Sequence, residues 1–247
     1  MSRDAVVCLC RCGTEVLLCR RDGEERWDGV SIDIGEDTDP AAAAKRAIDE
    51  ILAESTTWTL VRGGESIAPA DRPGRRHPFC FECKSRELRP DADASREIEW
   101  QQPPAVLERT TVPGLWEAYR AVGPSLASVR DDDIHGAADI SLRALEVIRD
   151  RAAELAAADP DRDRSAVEPL ARDLLGSRPS MAVVHNRLNR VIATGGETVA
   201  SIRDQAIEDC TAAVGADEAA AERAAAAIGD RVLTLSRSGT VFKALQA

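Results

Sequence analysis

The sequence predicts an α/β protein: a mixed-sheet α/β/α domain, then an all-helical domain, then the first strand of a further α/β unit. Three observations carry this. Up to about residue 122, short apolar runs of period two alternate with turn residues around a single helix. From about residue 130 the apolar period becomes helical. Near the end, Arg231–Leu235 is a β-branched and leucine run that leads through Ser236-Arg237-Ser238-Gly239-Thr240 into a helix start.

In chain order, Val6–Cys12 and Glu15–Cys19 read as a hairpin around Gly13-Thr14. A helix is expected over Pro40–Glu54. Asp39 is its N-cap, Pro40 its first residue, and Ala43, Ala47, Ile48, Ile51 and Leu52 its apolar face. Pro78–Lys84 and Glu97–Trp100 read as strands and Val112–Val122 as a closing helix. Ile140, Ala144, Ile148, Ala152 and Leu155 keep helical spacing, and a Pro/Asp/Arg break follows. Ser165-Ala166-Val167-Glu168 reads as a capping box opening a second helix with Leu170, Leu174 and Leu175 inward. Arg178-Pro179-Ser180 starts a third, carrying Met181, Val184, Leu188 and Val191. Gly195-Gly196 ends it. Val199, Ile202, Ala206 and Cys210 pattern a fourth, and Asp217–Ile228 a short fifth.

Charge narrows the function classes. The 247 residues carry a net charge of −11, with three lysines (Lys45, Lys84, Lys243) and 29 arginines. No basic stripe runs along the chain, so direct nucleic-acid binding is not expected. No apolar run approaches the ~20 residues of a membrane span, and no secretory h-region precedes the first polar break, so the expected location is the cytoplasm. Abundant acids with few lysines suit a halophilic interior, where molar salt screens repulsion within about 3 Å.

Seven cysteines are an odd count without an export signal, which argues against a disulfide framework. Cys80-Phe81-Glu82-Cys83 has zinc-knuckle spacing. Cys8, Cys10 and Cys12, however, alternate along a strand and cannot close a tetrahedron without a turn, so they read as small buried hydrophobes. His185 reads as a structural histidine and His77 as a loop residue. Asp131-Asp132-Asp133 reads as a solvated cluster suited to the dipole of the helix that follows.

Residues 1–125 resemble a Nudix domain. The hairpin, Arg26-Trp27-Asp28-Gly29-Val30, Gly35, an acidic loop and Ala43-Ala44-Lys45-Arg46-Ala47-Ile48-Asp49-Glu50-Ile51 follow that family's order. So do Ile98-Glu99-Trp100, Pro103-Pro104 and the last helix. The resemblance implies a helix face of glutamates holding Mg²⁺, which bridges a diphosphate and activates water. Here the motif is degenerate. Ala47 follows Arg46 where a glutamate is expected, Ile51 replaces the second of the paired glutamates, and Ala53 replaces a glycine. Glu50 is the one metal-ligand candidate left, and Mg²⁺ is the cofactor only if the domain is active.

Residues 126–230, with 231–247 as the start of a Rossmann-like domain, resemble the translation initiation factor 2B alpha/beta/delta-related family. That family includes methylthioribose-1-phosphate and ribose-1,5-bisphosphate isomerases. Ile134-His135-Gly136-Ala137-Ala138, Ser177-Arg178-Pro179-Ser180 and Val232–Thr240 carry the likeness. It implies a phosphate or ligand site at His135, Gly136, Arg178, Pro179, Ser180, Ser236, Arg237, Ser238 and Gly239. The isomerases need an arginine where His135 stands and a cysteine where Ser236 stands, so no catalytic residue is assigned. One βα unit cannot complete a parallel sheet, so the chain reads as C-terminally truncated. The expected function is a regulatory or ligand-binding protein taking a small phosphorylated ligand, in a homo- or hetero-oligomer of related subunits. The alternatives are a Mg-dependent Nudix hydrolase of a nucleoside diphosphate derivative, with further ligands from Glu82 or Glu97, and, more remotely, a sugar-phosphate isomerase.

Overall fold

A computed structural model of the chain describes residues 4–35, 39–69, 74–92, 96–229, 231–234 and 238–246. Two compact units divide it, Met1–Gly123 and Pro124–Ala247. Each builds its own core.

The first unit contains β1 (Ala5–Cys12), β2 (Glu15–Arg21), β3 (Val30–Asp33), α1 (Pro40–Asp49), β4 (Trp58–Gly63), β5 (Arg76–Cys83), β6 (Arg96–Gln101), α2 (Ala105–Glu108) and α3 (Leu115–Val122). The strand order is β4-β5-β1-β2-β6, with β3 also paired to β1. Only β1 and β5 run parallel, which makes the sheet mixed. Strand β1 is its axis. Val6, Cys8 and Cys10 face one side, packed with Ala43, Ala47 and Ile48 of α1. Val7 and Leu9 face the other, packed with Leu115, Ala118 and Tyr119 of α3. A strand covered on both faces is apolar throughout, which is why β1 reads Ala-Val-Val-Cys-Leu-Cys. The buried cysteines are free thiols inside these clusters. Burial raises the Cys8 and Cys19 thiols above their ordinary range, Cys19 to about 12, so they are protonated and unreactive.

Two helices differ from the periodicity. Asp39 caps α1 as expected, its carboxylate accepting from the Ala42 N–H at 3.1 Å, but the helix stops at Asp49 rather than Glu54. Residues 51–53 turn to bond with 87–89 instead: Arg89 N–H donates to the Ile51 carbonyl at 2.9 Å and Ala53 N–H to that of Glu87 at 3.1 Å. Helix α3 begins at Leu115 because Val112 N–H is taken by the Trp27 carbonyl and Gly114 sits at φ +80°.

The second unit is helical: α4 (Leu126–Arg130), α5 (Ala137–Ala158), α6 (Glu168–Ser177), α7 (Ala182–Thr194), α8 (Val199–Ala225) and α9 (Gly239–Gln246). Ile140, Ala144, Ile148 and Leu155 of α5 share one core with Leu174, Leu188, Val191, Ile202, Ala206 and Cys210. Ser165 is not a helix cap. Asp163 caps a short 3₁₀ turn there by accepting from Ser165 N–H at 2.8 Å, and α6 starts at Glu168 with no side-chain cap. Arg178-Pro179-Ser180 form a turn closed by Met181 N–H on the Arg178 carbonyl, and α7 follows at Ala182. The expected fourth and fifth helices are one. Thr198 and Ser201 form a reciprocal capping box, and without a proline or a left-handed residue nothing interrupts α8 at Gly215. Residues 231–234 do not form the expected strand, and Leu233 is 91% exposed. Among the described residues every strand lies in the first unit, so this segment has no ladder to join. No described helix is long and apolar enough to cross a membrane.

Candidate functional site

Glu50 is exposed and caps the C-terminus of α1, its N–H donating to the Arg46 carbonyl at 3.0 Å. Ala47 and Ile51, which take the places of the missing glutamates, are each 1% exposed and packed into the core. The nearby carboxylates have structural duties. Asp49 accepts from Trp58 Nε1 at 3.1 Å, and Glu54 pairs with Arg89 at 3.0 Å. Glu82 and Glu97 lie on β5 and β6, strands three spacings or about 14 Å apart, with Glu97 offset four residues along its strand from the position level with Glu82, and Glu97 is paired with Arg20. A hydrated divalent ion on a diphosphate needs several converging oxygens. The residues of this face do not fit one.

In the second unit, one carboxylate organises the expected ligand loop. The Asp132 side chain is 5% exposed and accepts from the main-chain N–H groups of Ile134 (3.1 Å) and His135 (2.9 Å). Its carboxylate also meets His135 Nδ1 at 2.9 Å and the Arg143 guanidinium. Arg178 donates to the main-chain carbonyls of Val129, at 2.9 Å, and of Asp132. Burial acts to raise the Asp132 carboxyl, but these hydrogen bonds and the Arg143 charge outweigh it and hold it below the usual range. The structure thus brings His135 and Arg178 together through Asp132, which the sequence reading had placed in a solvated cluster. Once buried, that carboxylate can satisfy four donors and fix the turn before α5.

Gly136 is the N-cap of α5, without a side-chain cap. Gly239 opens α9 beside it: a Cβ built there would lie 3.4 Å from Asp139 Oδ2. Ser238 Oγ accepts from Val241 N–H at 3.1 Å, and Asp217 of α8 holds α9 through Thr240 and Lys243. Arg187 of α7 donates to Ser141 Oγ at 2.8 Å, at the same end of α5. His135, Gly136, Arg178, Ser238 and Gly239 therefore stand around the N-terminus of α5. Pro179 and Ser180 are exposed on the preceding turn. Ser236 and Arg237 lie outside the described residues.

A cavity of about 280 Å³ in the first unit was not anticipated. Its lining includes Arg21, Arg26, Arg96, Asp28, Ser31 and Asp33. Behind it Arg76, 1% exposed, donates to Asp28 and to Ser31 Oγ (3.0 Å), while its Nε and Nη1 have no hydrogen-bond partner among the described residues. Arg76 is the first residue of β5, beside His77, so no local pattern singles it out. Trp27, at the edge of the same region, has the guanidinium carbons of Arg20 and Arg109 at 5.0 and 4.6 Å from its ring centroid.

Residues 133–247, just under half the chain, match the model of the initiation factor 2 subunit family. Solved structures similar to the first unit include a Nudix hydrolase from M. smegmatis, RenU (18% identity, 48% of this chain and 84% of that one, TM-score 0.39). Another is the E. coli dihydroneopterin triphosphate pyrophosphohydrolase (19%, 49% and 96%, TM-score 0.39). A third is a C. elegans Ap4A hydrolase binary complex (11%, 48% and 93%, TM-score 0.39). No curated protein matches the chain's sequence. The strand order and the two helical covers define the first unit's fold on their own.

Proposed function

We propose that this chain is a regulatory, ligand-binding protein of the initiation factor 2B-related kind, carrying a Nudix-like domain that does not hydrolyse. One observation carries the reading. Ala47 and Ile51, packed in the core at 1% exposure, occupy the positions where the Nudix resemblance calls for metal-binding carboxylates. Glu50 alone cannot hold and orient a magnesium-bound diphosphate. In the second unit, His135 and Arg178 are engaged with Asp132 and main-chain carbonyls. This supports a preformed loop that receives a phosphate at the α5 N-terminus over one that moves protons. The match to a family of subunits supports a homo- or hetero-oligomer, working in the cytoplasm.

The test is hydrolysis of a panel of nucleoside diphosphate derivatives with Mg²⁺, read by chromatography as the two phosphate monoesters that cleavage of the diphosphate leaves, using the wild-type chain and Glu50→Gln. The expected result is no turnover above the protein-free rate for either. Mg-dependent turnover that disappears in Glu50→Gln would overturn the reading and establish the hydrolase instead.

A further inference from the structure

We propose that Cys12 and Cys83 form a reversible cross-strand disulfide, a covalent clamp between β1 and β5 made by exchange with a small-molecule disulfide. Neither thiol belongs to a ligand site described above, so the inference is independent of the proposed function.

Strand register singles out this pair. Cys8 faces Phe79, Cys10 faces Phe81 and Cys80 faces Leu9, while Cys19 faces Ile98. The parallel ladder of β1 and β5 runs to Arg11 and Glu82, so one step further Cys12 stands beside Cys83. Neighbouring strands put such partners about 5 Å apart at Cα, inside the range of about 4.4–6.8 Å that a disulfide spans. Both thiols lie on the α1 face of the sheet and are hydrogen-bonded to each other. Cys83 also donates to the Arg11 carbonyl at 3.1 Å, and Cys10 Sγ donates to Cys83 Sγ at 3.7 Å. Cys10 is nevertheless the wrong partner. It stands two residues back from Cys12, which sets its Cα about 8 Å from that of Cys83, too far for a bond without backbone movement.

Two other roles for these thiols fit less well. Cys80 and Cys83 have zinc-knuckle spacing, but three steps along a strand put them on opposite faces, Cys80 toward α3 and Cys83 toward α1. Among the described residues no three cysteine, histidine or carboxylate side chains are placed to hold a metal ion. Core packing accounts for the six buried cysteines, whereas Cys12 is half-buried. That partial exposure gives a small disulfide its point of entry.

Exchange with glutathione disulfide balances without another reagent. The Cys12 thiolate attacks one sulfur, forming a mixed disulfide and releasing a glutathione thiolate that takes up a proton. Cys83, 4% exposed, then loses its own proton and attacks the Cys12 sulfur, releasing the second glutathione. Two protein thiols are oxidised and one disulfide is reduced to two thiols. Hydrogen bonds between the thiols, and after them burial, hold Cys12 and Cys83 above the ordinary thiol range, against the Arg86 charge beside Cys12. Poorly ionised thiols are slow to attack and slow to leave, so the clamp closes and opens slowly. Closed, it joins the Gly13-Thr14 hairpin to the segment whose residues 87–89 end α1.

The experiment incubates the reduced, folded full chain with glutathione disulfide at about pH 8.5, the ordinary thiol value. Remaining thiols are then blocked and the peptides mapped by mass spectrometry. The expected product is a single bond linking the Cys12 and Cys83 peptides, two hydrogens lighter than the reduced pair and lost on adding dithiothreitol. Tryptophan fluorescence should give a higher urea midpoint for the oxidised chain, because the bond closes a long loop. Cys12→Ala and Cys83→Ala should lose both the bond and the shift, and Cys10→Ala should keep both. Circular dichroism checks that each variant folds, and the wild-type map decides alone where one does not. No linked peptide, a bond from Cys83 to Cys10, or a mixed disulfide on Cys12 that goes no further would each overturn the inference.

Discussion

Removing Asp28 should damage the first unit far more than removing the arginine it serves. Arg76 is 1% exposed, and among the described residues the hydrogen bonds of its side chain run from Nη2 to Asp28 and Ser31. In Asp28→Ala a full positive charge stays buried with one hydroxyl for company. Breaking a buried pair in this way costs about 3–5 kcal/mol. In Arg76→Met the cation goes, its volume is largely kept, and Asp28 retains the Gly29 N–H at 2.8 Å and 20% solvent exposure. That loss should be about 1 kcal/mol. The double variant should resemble Arg76→Met, because no orphaned charge remains. The assay is urea unfolding followed by tryptophan fluorescence. All four tryptophans (Trp27, Trp58, Trp100 and Trp116) lie in the first unit, so the signal reports that unit alone. At a slope of about 2 kcal/mol per molar urea, Asp28→Ala should lower the midpoint by roughly 2 M and Arg76→Met by about 0.5 M. Equal losses for the two single variants, or a cost below about 1 kcal/mol for Asp28→Ala, would refute the charge-burial argument.

Other outcomes follow from the same packing. Gly29→Ala would place a Cβ 2.9 Å from the Cys8 carbonyl oxygen and 3.1 Å from Val7 Cγ2, and should cost about 1–3 kcal/mol in the same fluorescence assay. Gly215→Ala meets nothing within 4 Å inside α8 and should stabilise the second unit by about 0.5–1 kcal/mol, read as a higher melting temperature by far-ultraviolet circular dichroism. The Asp132 carboxyl is depressed in the folded chain. Its contribution is therefore complete above the unfolded value of about 3.9 and is lost as pH falls through the folded value. Acid titration below about pH 4 should loosen the His135 loop, and Asp132→Asn should flatten that response; an unchanged acid midpoint would count against it.

The sequence reveals what periodicity controls. Strand β1 and the helices α5 and α7 announce themselves because one apolar spacing serves one packed face, as with Val184, Leu188 and Val191. Ends are harder to see. The end of α1 depends on residues 87–89, which capture the backbone at 51–53 from 34 and 38 residues away, and no local pattern encodes that. The candidate sites divide in the same way. His135, Gly136 and Arg178 stand out as motifs, whereas Asp132 looks like one of three equivalent acids until folding buries it. The arginine cavity was invisible because its residues come from β2, β3 and β6 and the turn before β3, and only strand pairing brings Arg21 opposite Arg96. The second unit's final strand looked plausible from composition alone, but a strand exists only where another accepts its hydrogen bonds.

Helix α8 runs 27 residues, about 40 Å, yet its burial is lopsided. Val199, Ile202, Ala206, Cys210 and Ala213 anchor the first half, and past them only Ala221 is buried. The second half is held mainly by its own hydrogen bonds and by Asp217, which ties Thr240 and Lys243. One continuous rod should therefore show a gradient of amide exchange, slow at its capped start and fast toward Ala225. Ligand occupancy near α9 would be felt first in that loosely held half. Protection of the amides after Gly215 thus becomes a sensitive reporter of the second unit's state.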